Sequence, residues 1–220
     1  MYHNGYKNIR FMDDNITIDT SFLKALRDLV KGEGLKIDFY GLTRIDLIDR
    51  EKAKLLRDIN FKRMYIGLET LSEEMQKRYR KDIDIDSLKK QFGYLHDKGI
   101  KTGVWMIFDP RHESKEDVKR YAITLRRLGV DFARLNLLTY YAGTEIYKDV
   151  EGGKFMVSPE ETCDTKEIEK TFTLHFLMGP TAFLKNAFRM VMYPRAGLSV
   201  LRGILGSENT RSKMSKREKV

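Results

Sequence analysis

Polar and ionisable side chains follow each of five short apolar runs between residues 8 and 138 of this sequence. Carboxylates and an amide follow the first run, an arginine the second, a glutamate the third and a proline-containing turn the fourth, while the fifth run itself carries an amide. If the runs are parallel strands, their carboxyl ends meet at one rim, where α/β proteins hold ligands and catalytic groups. The candidate site residues are Asp13, Asp14, Asn15, Arg44, Glu69, Pro110, Glu113, Asn136 and Thr139.

Glu69 is the candidate with the most specific position. It directly follows the apolar run MYIGL, so its carboxylate is expected to point into or above the sheet. An unpaired carboxylate is costly there, and an amino group or the guanidinium of Arg44 would stabilise it. The polar residues after the first run have an alternative interpretation as an Asx turn, and Thr70 as a helix cap, because such residues are common in βα loops.

Signatures of several other chemistries are missing from the sequence. It contains no P-loop, no GxGxxG, no GxSxG nucleophile motif and no HExxH zinc motif. Cys163 is the single cysteine, so the chain has no internal disulfide and cannot by itself bind a structural zinc ion or an iron–sulfur cluster. These absences exclude the common nucleotide-binding and covalent-hydrolase classes. Separately, His112 lies on the predicted rim and is interpreted as a loop histidine rather than a catalyst.

Strand-like and helix-like patterns alternate along the same region. Strands are predicted at 8–12, 37–42, 63–68, 102–108 and 132–138, and the run VWMIF at 104–108 is typical of a parallel strand covered on both faces. Helical spacing lies between them, with starts near Asp49 and Ser114 and ends at Gly32, Gly99 and Gly129. The sequence therefore predicts an α/β fold, a partial (βα) barrel, because about five parallel strands do not close a barrel.

The pattern changes after residue 148, which predicts three parts: the partial barrel at 1–148, a helical C-terminal extension at 149–206 and a basic flexible tail at 207–220. The stretch 181–206 is amphipathic and basic, which favours packing on the open side of the barrel over peripheral membrane contact. The net charge is +9, and residues 195–220 hold seven basic and two acidic residues. Because much of the excess lies in this tail, a nucleic-acid partner is not favoured.

The amino-terminal residues, MYHNGYKNIR, lack the apolar core of a signal peptide. No apolar run reaches the length of a membrane span. Together with the single cysteine, these features lead us to expect a soluble cytoplasmic protein.

Five segments occur in the order and at the spacing of the strand-end motifs of one enzyme family. They are NIRFMDDNITID at 8–19, GLTRIDLID at 41–49, MYIGLET at 64–70, KGIKTGVWMIFDPRHESKED at 98–117 and LLTYYAGTEIYK at 137–148. Together they resemble radical S-adenosylmethionine (SAM) enzymes, most closely the branch whose members often carry a cobalamin-binding domain. The segment FLMGPTAFLKNAF at 176–188 is similar to the C-terminal extension of that branch.

The resemblance implies that SAM binds at the predicted rim. The polar residues after the first run would approach the methionine end of SAM, and Arg44 and Glu69 would face the cofactor or the substrate. The turn at 110–113 would shape the adenosine pocket, and Asn136 with Thr139 would close the far side. Adenine requires an apolar slot, and the side chains expected to line it are Val104, Met106 and Phe108.

The sequence also departs from the family pattern. The family binds a [4Fe–4S] cluster with three cysteines in the pattern C-x3-C-x2-C, and this pattern is absent from the 220 residues. The glycine expected before Pro110 is Asp109, an extra residue stands between Pro110 and Glu113, and the prolines usual in the TYYAGT loop are missing. We expect a cluster-bearing partner chain or domain to pair with the exposed edge of the strand at 8–12.

Two hypotheses for function follow from this comparison. In the first, the chain is the C-terminal part of a radical SAM enzyme whose cluster-bearing part lies on another chain or is lost from the reading frame. The small-molecule substrate is unidentified, and cobalamin is a candidate cofactor of the parent enzyme. In the second, the chain is a non-catalytic descendant that binds a metabolite or a partner protein. A third alternative, a nucleic-acid-binding module, depends on the basic tail alone.

Overall fold

A five-stranded parallel sheet is the centre of the protein in a computed structural model, which describes residues 5–81, 83–149, 156–159 and 163–177. The strands lie side by side in sequence order, and every neighbouring pair is parallel. Their bounds are β1 Asn8–Arg10, β2 Asp38–Thr43, β3 Phe61–Glu69, β4 Lys101–Phe108 and β5 Phe132–Leu137. Successive right-handed crossovers add each strand to the same edge and curl the sheet into a half-barrel, which confirms the predicted fold class.

Helices connect the strands, and capping side chains fix the starts of the first, second, third and fifth of them. The bounds are α1 Thr20–Gly32, α2 Arg50–Ile59, α3 Glu73–Arg78, α4 Leu88–His96, α5 Lys115–Arg127 and α6 Thr165–Leu177. The carboxylate of Asp49 accepts a hydrogen bond from the amide of Lys52 at the start of α2. Ser114 and Asp117 form the predicted capping box at the start of α5.

One face of the sheet packs against the helices and forms the core. The residues of β3 and β4 that belong to this core are Met64, Ile66, Leu68, Val104, Met106 and Phe108. The last three are at most 2% exposed, so the prediction that they line an adenine slot is wrong. Because side chains alternate along a strand, the residues between them lie on the opposite side.

We call that opposite side the open face. Its central and outer strands contribute residues that are half-buried or exposed: Arg10, Tyr40, Arg63, Tyr65, Gly67, Trp105, Ile107, Arg134 and Asn136. In the described part of the chain, β1 and β5 are the edges of the sheet, and β1 is three residues long. The described helices leave this face uncovered, so it is the accessible side of the sheet in the described part of the chain.

Several short elements are present that the sequence pattern does not predict. They are α3, a 3-10 turn at Ile45–Leu47, a second at Glu145–Asp149, and an antiparallel pair formed by β6, Tyr140–Tyr141, and β7, Met156–Val157. Helix α6 lies within the segment 149–206, for which the sequence predicts a helical extension. The remainder of that region, the amphipathic stretch 181–206 and the tail 207–220 lie outside the described residues. Among the described helices, none has the length and apolarity needed to span a membrane.

Candidate functional site at the carboxyl ends of the strands

Glu69 ends β3 in an unusual backbone conformation. Its φ is 66°, in the left-handed region, and the pairing of β3 with β4 is irregular between Gly67 and Glu69. The side chain folds back over Gly67, where Oε1 lies 2.7 Å from the position that a Cβ atom would occupy. A non-glycine residue in this conformation costs free energy, and such costs concentrate at functional sites. The bulge therefore directs the Glu69 carboxylate onto the open face.

Lys81 is the cationic partner of Glu69. Its Nζ lies 3.6 Å from Oε1 of Glu69, and the two side chains are 26% and 21% exposed. Arg44, the partner that the sequence suggested, instead forms a two-pronged hydrogen bond with Asp46 at 2.8 and 3.0 Å. These hydrogen bonds hold the pKa of Asp46 below its usual range. Arg44 is exposed and belongs to the outer part of the rim.

Beside Glu69 lies an open cleft of about 780 Å³. The residues that line it are Glu69, Lys77, Arg78, Tyr79, Arg80, Lys81, Ile107, Leu138, Thr144, Glu145 and Ile146. Four of them are cationic and two are acidic, and Arg80 contacts Glu145 at 2.5 Å. A cleft with an excess of cations and one inward carboxylate suits a ligand that carries both an anionic and an ammonium group.

Asp109 is buried immediately behind this cleft. Its side chain is 0% exposed, and Oδ1 accepts hydrogen bonds from the hydroxyl of Tyr140 and the amide of Arg111. Oδ2 lies 3.9 Å from Nε of Arg78 and accepts no hydrogen bond from the described residues. The residue that replaces the family's glycine therefore ties three segments together: α3, the turn after β4 and the loop after β5.

Glu113 closes the turn after β4 from the other side. Its Oε2 accepts a hydrogen bond from the amide of Asp109 at 2.7 Å, and its Oε1 accepts one from the hydroxyl of Tyr121, which also contacts Thr70 at 3.2 Å. Burial raises the pKa of Glu113 above its usual range, although the two hydrogen bonds oppose that shift. Burial likewise raises the pKa of Tyr121, so its phenol remains protonated.

Tyr79 carries a second buried group without a partner. Among the described residues its hydroxyl has no hydrogen bond, and burial raises its pKa well above the usual range. The negative charges of Asp109 and Glu113 act in the same direction. Tyr79 therefore presents a protonated phenol next to the cleft.

The remaining candidate residues lie at the rim in different surroundings. Asp13 and Asp14 are exposed, whereas Asn15 is half-buried and its Oδ1 accepts hydrogen bonds from Thr17 and Thr43 at 3.2 and 3.3 Å. This anchors the loop after β1 to the end of β2. The other three, which are half-buried at the ends of β4 and β5, are Pro110, Asn136 and Thr139.

Sequence reasoning missed the cationic side of the cleft. Lys77, Arg78 and Arg80 belong to α3 and the turn after it, beyond the strand-end positions that were considered. The available signal was the cluster of four basic residues around one tyrosine in KRYRK at 77–81, which follows the glutamate-bearing strand. Tyr140 was also missed, because its hydrogen bond joins residues 31 positions apart.

The ligands of an iron–sulfur cluster are not found here. In the part of the chain that the structure describes, no group of three or more histidine, cysteine, aspartate or glutamate side chains is arranged to bind a metal ion. Cys163, the single cysteine, is half-buried just before α6 and packs against the core cluster. The donor set of this chain therefore does not fit a [4Fe–4S] cluster.

Comparison with known proteins places this chain in a family. The Radical SAM superfamily profile matches residues 1–125, more than half of the chain. An uncharacterized methyltransferase of Pyrococcus horikoshii is 28% identical over 153 residues, covering 67% of this chain and 32% of that protein. The hopanoid C-3 methylase of Methylococcus capsulatus is 23% identical over 139 residues, covering 59% of this chain and 26% of that enzyme. The chain thus spans about a third or less of the length of these curated relatives.

Solved structures show the same fold. The Escherichia coli coproporphyrinogen III oxidase, described as a radical SAM enzyme, matches with a TM-score of 0.60 at 14% identity, over 78% of this chain and 40% of that one. The radical SAM methyltransferase TsrM of Kitasatospora setae, described with cobalamin and a [4Fe–4S] cluster bound, matches with a TM-score of 0.54 at 13% identity, over 61% and 28%. The half-barrel fold is therefore shared with these structures, and the profile match over residues 1–125 shows that the chain belongs to the radical SAM superfamily.

Proposed function

We propose that this chain supplies the SAM-binding part of a radical SAM active site and that the thiolate ligands of the cluster come from outside these 220 residues. The observation that carries the proposal is the cleft at the ends of β3 and β4. There the Glu69 carboxylate lines the same cleft as the cations Lys77, Arg78 and Arg80. The methionine end of SAM carries an ammonium group and a carboxylate, so one ligand satisfies both signs of charge.

The residues of this chain fit SAM better than they fit the cluster. Glu69 would accept hydrogen bonds from the ammonium group in place of Lys81, which is 3.6 Å away and readily displaced from such a weak pair. Lys77 is exposed at the cleft and would approach the carboxylate. In the family, the bound cluster supplies the electron for reductive cleavage of SAM. This chain would bind and orient the SAM molecule that is cleaved.

The edge strand β1 supports a partner that contributes further strands. Beside it, the side chains of Met12, Ile18 and Phe22 are 75%, 73% and 41% exposed. An edge strand flanked by exposed apolar side chains favours pairing with an added strand. We propose that the cluster-bearing segment docks at this edge. Cobalamin would belong to the parent enzyme, as the likeness to the cobalamin-bound TsrM suggests.

Co-purification with a polypeptide that carries C-x3-C-x2-C tests the proposal. We expect 5′-deoxyadenosine and methionine from SAM under reducing conditions only when both polypeptides are present. Glu69→Gln should weaken SAM binding by about tenfold, the effect of one charge-assisted hydrogen bond. Lys90→Ala, on the exposed surface of α4, is the matched control and should leave binding unchanged.

The opposite results are also informative. If a cluster-loaded natural neighbour binds the chain and no 5′-deoxyadenosine forms, the catalytic assignment is wrong. The alternative, a non-catalytic binding protein, is then favoured. If cleavage proceeds and Glu69→Gln binds SAM as tightly as the unmodified chain, SAM lies elsewhere on the rim.

A further inference from the structure

Two aromatic rings form a flat surface on the open face, below the Glu69 cleft. The rings of Tyr65 and Trp105 are stacked, with centroids 5.8 Å apart and an interplanar angle of 29°. Gly103 makes this possible, because a Cβ atom at that position would lie 2.8 Å from Cδ1 of Tyr65. The tyrosine ring therefore lies across β4. We call Tyr65 and Trp105 the aromatic platform.

Arginines surround the aromatic platform. The guanidinium carbon of Arg10 lies 4.7 Å above the centroid of the Tyr65 ring. Arg63 donates a hydrogen bond from Nη1 to the Tyr65 hydroxyl at 3.2 Å, while its buried Nε has no partner among the described residues. Arg134 stands on β5 as the register partner of Trp105 and is exposed. Three cations thus meet at one pair of stacked rings.

Among the described residues, no ion pair joins Arg10, Arg63 or Arg134 to an acidic side chain. On the amino-terminal half of the open face, the acidic residue in the described strands is Asp38. Its carboxylate already receives a hydrogen bond from Asn60 at 2.9 Å and lies 3.7 Å from Nζ of Lys62. An anionic group arriving at the platform would therefore meet arginines that form no ion pair among the described residues.

The platform and the cleft form one continuous surface. Gly67 is the register partner of Trp105, and the Glu69 carboxylate folds over Gly67. Ile107, two residues beyond Trp105 on β4, lines the cleft. A ligand on the rings would thus lie beside a ligand in the cleft, separated by the glycine and the glutamate.

We propose that the aromatic platform binds the substrate, and that this substrate contains a planar ring carrying an anionic group, either a phosphate or a carboxylate. The ring stacks on Trp105 beside Tyr65, and the anion pairs with Arg134 and with Arg10, whose guanidinium covers the Tyr65 ring. Stacking on aromatic rings combined with arginine contacts is a recurrent way to hold such compounds. The proposal deepens the proposed function and rests on it for the statement that the ligand is a substrate.

Trp105 is the single tryptophan of the chain, so its fluorescence reports on this site alone. We would titrate the full chain with adenosine 5′-monophosphate and with nicotinate, and with their neutral counterparts adenosine and nicotinamide. We expect saturable quenching by at least one anionic compound, with the neutral counterpart binding about tenfold more weakly. The tighter of the two anions identifies phosphate or carboxylate as the recognised group.

Variants locate the binding on the platform. Arg134→Gln changes an exposed side chain and should weaken the preferred anion by about tenfold. Arg127→Gln, exposed on the last turn of α5, removes the same charge elsewhere and should change nothing. Gly103→Ala should displace the Tyr65 ring and weaken binding, and its circular dichroism should match that of the unmodified chain.

Three results would overturn the proposal. They are the absence of quenching by either anion at millimolar concentration, equal binding of charged and neutral compounds, and unaltered binding in Arg134→Gln. The titration requires neither SAM nor a cluster, so its failure is separate from failure of SAM cleavage. SAM cleavage without anion binding at the platform would refute the proposed substrate class alone. Anion binding at the platform without SAM cleavage would refute the radical SAM assignment of the site.

Discussion

The hydroxyl of Tyr140 donates a hydrogen bond to the buried carboxylate of Asp109, which joins the loop after β5 to the turn after β4. The same carboxylate lies near Arg78 at the end of α3, so three loops of the rim share one fully buried anchor. Burial and this hydrogen bond raise the pKa of Tyr140 and keep its hydroxyl protonated as the donor. The shape of the cleft therefore depends on a contact outside the cleft itself.

Tyr140→Phe should destabilise the chain by about 1–3 kcal/mol, the usual cost of leaving a buried charged acceptor with one donor fewer. Urea unfolding followed by circular dichroism measures the effect, and we expect a lower midpoint with an unchanged slope. Tyr141→Phe is the matched control, because Tyr141 is 48% exposed. Equal midpoints for the two variants would show that the Tyr140 hydroxyl contributes little.

Glu113 should make stability fall as the pH rises above its ordinary pKa of 4.5, because burial raises the pKa of this carboxyl in the folded chain. In that range the folded state binds more protons than the unfolded state, so each increase in pH favours unfolding at this group. Glu113→Gln cannot ionise. Its stability relative to the unmodified chain should therefore increase with pH from 4.5 upward.

Urea titrations across this pH range measure the relative stability of the Glu113→Gln variant. Glu116→Gln provides the comparison, because the exposed Glu116 has a pKa that its hydrogen bond with Lys119 lowers. The difference in unfolding free energy between Glu116→Gln and the unmodified chain should change in the opposite sense, and this change should occur at lower pH. A Glu113→Gln difference that is flat with pH would mean that Glu113 ionises normally in the folded chain.

The fold was predictable because its signals are local. Continuous apolar runs such as VWMIF identified buried parallel strands, and glycines and capping residues identified the helix ends. The capping box that the sequence predicts from Ser114 and Asp117 is present at the start of α5. These features depend on residues within a few positions of one another.

The site was less predictable because its contacts are distant in sequence or depend on backbone conformation. The strand-end rule placed Glu69 at the rim. Its partner Lys81 was not predictable in the same way, because it follows α3, a helix without a strong apolar period in its sequence. No sequence rule shows that Glu69 adopts a φ of 66°. The adenine slot was assigned to the wrong face of β4, since a run that is apolar at every position does not reveal which side is open.

Ser114→Ala should destabilise the chain by about 1 kcal/mol, the usual cost of losing an N-cap. The Ser114 hydroxyl accepts from the amide of Asp117 at 3.3 Å and donates to its carboxylate at 2.7 Å, and alanine removes both hydrogen bonds. Thermal unfolding measures the loss. Ser114→Thr retains a capping hydroxyl and should restore most of it, whereas equal melting temperatures for the alanine and threonine variants would contradict a capping role.

Glu69→Gly should stabilise the chain by about 1 kcal/mol, because glycine adopts the left-handed conformation without the steric cost that a side chain has there. Glu69→Gln keeps the side chain and should leave the unfolding free energy nearly unchanged. Both variants remove the carboxylate, so both should weaken SAM binding by about tenfold in the complex with the cluster-bearing segment. If Glu69→Gly is more stable than the unmodified chain but binds SAM more weakly, the strained backbone at Glu69 is retained because the carboxylate is needed for binding. If Glu69→Gly is instead less stable than Glu69→Gln, the ion pair with Lys81 holds the loop, and the conformation of Glu69 is structural in origin.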